Sequence, residues 1–155
     1  MRNLIVVLFD ILNLGLLVFL WKLTFKNYKS LPEKIAIHFD VEGKADNFGN
    51  KKFAFLIPIF GLISYASFFI LNFYMIPENH SVEVSENNQN ISHIIITFFM
   101  NWLLCLVLLV FLNSQDYMIR YSFDENAKVR VPFSAMLFSI IGSLIVFFII
   151  IAQFK

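Results

Sequence analysis

PFSAMLFSIIGSLIVFFIIIAQ, residues 132–153, carries no charged side chain. A helix needs about 20 mostly apolar residues to cross a hydrocarbon core of about 30 Å, and this run supplies them without interruption. Three more apolar runs lie upstream, at 4–25, 53–76 and 91–113, charged only at Asp10 and Lys22 of the first. Membrane β-strands are about 10 residues long and alternate in polarity, whereas these runs are longer and do not alternate. Lipid offers the backbone no hydrogen-bond partner, so each run closes its bonds internally as a helix. The composition agrees, with 59% hydrophobic and 15% charged residues, where a soluble domain carries about 25% charged. The expected fold is an all-α membrane protein, one polytopic domain over residues 1–155 with four transmembrane helices.

The first run reads as a retained anchor. Arg2 precedes it, but Asp10 and Asn13 interrupt its apolar centre and no small-x-small cleavage site follows before Lys22. Cys105 is the single cysteine of the chain, which excludes a disulfide framework and a cysteine-based zinc site within one chain. A net charge of +1 gives no general affinity for nucleic acid. The abundance of Ile, Phe, Asn and Lys points to an AT-rich, bacterial genome. The bilayer is the first expected partner, in the cell membrane.

Between the spans lie loops 26–52, 77–90 and 114–131. In the first, Pro32 disfavours helix at Leu31, so span 1 has ended there. Ile35, Ile37 and Phe39 alternate with polar or small residues, a strand with one apolar face. Residues 41–44 read as a turn with Gly43 free to take positive φ, and 47–50 as a second turn. A small strand-and-turn cap is therefore expected between helices 1 and 2. The first loop holds Lys26, Lys29, Lys34, Lys44, Lys51 and Lys52, and the third Arg120, Lys128 and Arg130, while 77–90 has no Lys or Arg. The positive-inside rule places loops 26–52 and 114–131 in the cytoplasm and both termini outside.

The cap carries a string of residues at set distances: Leu31-Pro32, Ile35, His38-Phe39, Gly43, Asp46, Phe48-Gly49 and Lys51. In order and in position between two spans, it resembles the bacterial membrane family known as domain of unknown function 1648, which includes the front half of SdpI-type immunity proteins. Those proteins protect a cell against its own secreted toxin. The second SdpI half, with its Gly/Arg/Thr-Pro motif, has no counterpart in 114–131. The resemblance implies a non-enzymatic membrane protein that binds a peptide toxin or a regulatory protein partner through loop 26–52. His38, Phe39, Asp46 and Phe48 are the implied contact residues, with Leu31, Pro32, Gly43, Gly49 and Lys51 shaping the loop.

Other readings of the polar residues compete. His38, Asp40, Glu42 and Asp46 offer divalent-metal ligands, but ligands this close in sequence without a second His fit a hydrogen-bonded surface loop better, and no metal or cofactor is expected. His38 with Asp46 lacks a Ser or Cys nucleophile in a turn motif, so no catalytic residues are assigned. Asp10 and Asn13 share one face of span 1 inside the membrane, where a charge faces the bundle or is neutral. They read as an interhelical hydrogen bond to Asn72, Asn101, Ser64 or Ser139, or as the site of a small transporter. A structural subunit of a membrane complex is the third alternative.

Overall fold

The computed structural model describes residues 4–40, 42–74 and 86–154; Val41 and most of the 77–90 loop, His80 included, lie outside the described residues. Helix α1 spans Leu4–Tyr28, strands β1 and β2 span Lys34–Phe39 and Ala45–Asn50, and a 3-10 turn at Lys51–Phe55 leads into α2, Leu56–Tyr74. Helix α3 runs Glu86–Tyr121 and α4 Phe133–Ile151. All four helices are long and apolar enough to cross a membrane. The fold is thus a four-helix membrane protein with a two-stranded antiparallel hairpin between helices 1 and 2.

Local chemistry sets the boundaries. Asn27 accepts at its backbone oxygen from the amides of Ser30 and Leu31, closing the last turn of α1 before Pro32. The side chain of Asn50 accepts from the Lys52 amide at 2.9 Å and caps the 3-10 turn. Pro58 has no N–H for the carbonyl of Ala54 four residues before it, and that carbonyl accepts from Gln115 Nε2 instead.

Two apolar clusters stack along the bundle. In the deeper one, Leu17 of α1 meets Leu104 and Leu108 of α3, with Tyr65 and Phe68 of α2 against them. In the other, Leu31, Ile35 and Ala54 pack on Met118 and Ile119 at the end of α3, joining the hairpin to the bundle. Gly61 lets α2 approach α1 closely, since a Cβ there would lie 2.9 Å from Leu20 Cδ2. A polar clamp accompanies each cluster. Asn13, wholly buried, donates through Nδ2 to the backbone oxygen and Oδ1 of Asn101. Gln115, also wholly buried, donates through Nε2 to Thr24 Oγ1 at 2.9 Å and to the Ala54 carbonyl at 3.0 Å. In lipid such bonds hold helices together where no hydrophobic force acts between them.

Helix α4 is peripheral. It buries no residue and meets α3 through the Phe99–Phe147 stack and a hydrogen bond from Trp102 Nε1 to Ser143 Oγ at 2.9 Å. A Cβ at Gly142 would touch nothing, so this glycine does not serve a close helix approach within the chain. Phe138 and Phe148 stand outward into the bilayer.

Three expectations are corrected. Residues 114–121, expected as loop, continue α3, because Gln115, Met118 and Ile119 bury one helical face and Asp116 and Arg120 pair at i,i+4. Residues 47–50, expected as a turn, are the last four residues of β2. Finally, Ile35, Ile37 and Phe39 do not share one apolar face: Ile35 and Ala36 are buried and Ile37 is exposed. The ladder pairs Ala36 with Phe48 but His38 with Asn47, and Phe39 with Ala45. Ile37 is therefore an extra residue on β1 and Asp46 an extra residue on β2. Each is a bulge that re-aims side chains, and the two offset each other, so both ends of the hairpin stay in step.

Candidate functional site: the cap and the polar bundle pocket

The hairpin has an inner and an outer face. Inside, Ile35 is buried and Phe39 is half-buried, its ring 4.8 Å from Tyr117 and 5.2 Å from Tyr121. The Tyr117 hydroxyl donates to the Gly43 carbonyl, tying the tip of the hairpin to α3. That tip is a turn in which Gly43 takes φ +84 and Asp40 Oδ1 accepts from the amides of Glu42 and Lys44. Asp40 thereby satisfies the turn backbone as an Asx motif. At the base, Lys51 Nζ lies 2.8 Å from Glu33 Oε1 and 5.7 Å from the centre of the Tyr28 ring.

On the outer face, the paired bulges set His38 beside Asp46, with Nδ1 2.5 Å from Oδ1. Facing an ionised carboxylate, which only accepts, Nδ1 would be the donor of this pair. Both side chains are half or more exposed. Phe48 is exposed too, as are Ile37 and Phe53. The cap thus leaves exposed an imidazole paired with a carboxylate and three apolar side chains, Phe48, Ile37 and Phe53.

Of the four contact residues expected from sequence, the fold brings His38 and Asp46 together and leaves Phe48 exposed nearby on β2. Phe39 is turned the other way, into the aromatic contact with α3. Among the loop-shaping residues, Leu31 is buried in the cap cluster, Pro32 is exposed, Gly43 holds the tip and Lys51 the base. Gly49 lies under Ile37 and Phe53, each of which has an atom 2.9 Å from where a Cβ would stand. Sequence reasoning missed Tyr117, Asp116 and Gln115, all within the segment read as loop. The helical spacing of Gln115, Met118 and Ile119 was the signal that pointed to them.

Inside the bundle, Asp10 lines a cavity of about 220 Å³ with Tyr65, Asn72 and Asn101. Asn13 adjoins it through its bonds to Asn101, and Asn13 Oδ1 is buried with no hydrogen-bond partner among the described residues. Ser139 bonds the Ala135 carbonyl of its own helix instead. Among the described residues no three His, Cys, Asp or Glu side chains converge as a metal ion requires.

Residues 15–62 match the family described as Domain of unknown function (DUF1648). The matched segment runs from within α1 through the hairpin into α2, and so contains every motif residue of the cap. No curated protein and no solved structure matches the chain.

Proposed function

We propose that this protein is a non-enzymatic membrane binding protein, similar in task to SdpI-type immunity proteins, whose cap receives a peptide toxin or a regulatory protein. His38, Asp46 and Phe48 are the contact residues, and Phe39 braces them from behind. The observation that carries this reading is the split of the hairpin into a face packed on α3 and a face left open. A binding surface on a rigid support loses little conformational freedom when its partner arrives. The basic residues of 26–52 and of 120–130 support a cytoplasmic cap, where a regulatory protein would be the partner.

The test is protection of toxin-sensitive cells by the full chain. Replacing both His38 and Asp46 by Ala abolishes protection at unchanged membrane abundance. Protection that survives in this variant makes the cap a structural element only.

A second reading, a small transporter or transporter subunit, draws on the cavity beside Asp10. An intramembrane carboxylate facing amide groups is a place to hold a cation or proton. Asp10→Asn ends transport under this reading and spares partner binding under the first.

A further inference from the structure

A groove of about 550 Å³ lies where α4 stands away from α1 over the surface of α3. Its walls are apolar, with Phe19 from α1, Leu109 and Val110 from α3 and Met136 from α4. One end is polar, formed by Asn113, Asp116 and Arg130. Asn113 exchanges two hydrogen bonds with the backbone of Val131, so the segment leading into α4 is pinned and the polar end keeps its shape. Because the helices on both sides are membrane-spanning, the apolar walls lie at hydrocarbon depth and the polar end lies towards the cap side of the bilayer.

At the polar end two arginines share one carboxylate, Arg130 lining the groove and Arg120 standing behind it. Asp116 Oδ2 accepts from Arg120 Nε at 2.8 Å and from Arg130 Nε at 2.9 Å, so one carboxylate faces two guanidinium groups. Arg120 spends Nη1 on the Lys128 carbonyl, and its Nη2 is buried without a partner among the described residues. Arg130 is 69% exposed, and among the described residues only its Nε is engaged. Its remaining N–H groups form a fork of the kind that takes a phosphate. Lys128 stands beside it in sequence with an exposed side chain.

We propose that this groove binds an anionic phospholipid, with one acyl chain along Phe19, Leu109, Val110 and Met136 and the phosphate against Arg130. Basic pockets between transmembrane helices hold anionic headgroups in this way. The volume lies within the range of small-molecule sites, about 300–1,000 Å³. Charge selects the occupant: a zwitterionic lipid fills the trough equally well but leaves the surplus arginine unanswered. The lipid would also supply α4 with a packing partner on the side where the protein gives it none.

The test uses the full chain purified in a mild detergent, with phosphatidylglycerol and phosphatidylcholine titrated separately and bound lipid counted by native mass spectrometry. Phosphatidylglycerol binds the tighter of the two. Arg130→Ala weakens phosphatidylglycerol by about fivefold, the share of one basic residue near a membrane surface, and leaves phosphatidylcholine unchanged. Leu109→Trp fills the trough and weakens both lipids. Lys44→Ala removes the same charge from the cap, away from the groove, and changes neither. Equal affinity of the unaltered chain for the two lipids overturns the proposal, as does phosphatidylglycerol binding that Arg130→Ala and Leu109→Trp both leave intact, or that Lys44→Ala weakens as much as Arg130→Ala does. Arg130 lies outside the helices and is largely exposed, so its variant reports on binding with the fold in place.

Discussion

Gly43 and Tyr117 together decide whether the cap has one shape. With φ +84 at its tip, the turn accepts a side chain only with backbone strain of about 1–2 kcal/mol. Gly43→Ala therefore loosens residues 42–50, seen as faster amide hydrogen exchange there with the helices unchanged. The Tyr117 hydroxyl bonds the carbonyl of that same glycine, so Tyr117→Phe removes about 1 kcal/mol and opens the same amides while retaining the ring contact to Phe39. If exchange in 42–50 is the same in Tyr117→Phe as in the unaltered chain, the hydroxyl is no tether. Gly49→Ala also disturbs the cap, because its Cβ would stand 2.9 Å from Ile37 Cδ1 and from the ring atom Cδ2 of Phe53, so both side chains have to shift.

At the scale of elements, the helices are held by polar clamps at two depths, and the clamps differ in what their loss exposes. Gln115 serves two acceptors on separate elements, Thr24 and Ala54. Gln115→Leu takes the Gln115 donor from both in a buried place, although Thr24 keeps its own bond to the Leu20 carbonyl, at about 1–3 kcal/mol. The Asn13–Asn101 pair is a single helix–helix contact. A double-mutant cycle to Ala should give a coupling of about 0.6 kcal/mol, and no more than about 1.7, by steric-trap unfolding in bicelles. A larger coupling at Asn13–Asn101 than the loss from Gln115→Leu would reverse the ranking.

The elements also differ in how openly the sequence declares them. The apolar runs announce four helices because lipid permits little else, and Gly43 marks its turn because few residues take positive φ. The end of α3 is disguised by Ser114, Gln115, Asp116 and Arg120, polar residues that hydropathy reads as loop although their spacing is helical. The paired bulges are invisible to any alternation rule, since each inserts one residue and the two compensate. His38 and Asp46 are recognisable as a motif, but their contact comes from those bulges. The bond of Tyr117 to Gly43 spans 74 positions, and no local pattern announces it.

For the whole molecule, the cap and the segment 122–132 belong to the same end, since the hairpin rests on the last turns of α3. With Cys105→Ser as background, single cysteines at Lys44 and at Glu125 should react alike with a membrane-impermeant thiol reagent. Labelling of both only after lysis matches the cytoplasmic placement, and labelling of both in intact cells reverses it. Reaction of one without the other contradicts four crossings.

Helix α3 has 36 residues, about 54 Å at 1.5 Å per residue, against a hydrocarbon core of about 30 Å. It packs against α1, α2, α4 and the hairpin, and it carries Tyr117 and Asn101 about 24 Å apart on one continuous rod. A continuous helix neither stretches nor slackens as a loop would. A ligand that draws the hairpin aside must therefore tilt or turn this shaft as a unit, and its middle, where Asn101 borders the chamber of Asp10, receives the movement mechanically. Movement at the cap would thus be felt inside the bundle without any solute having to enter it.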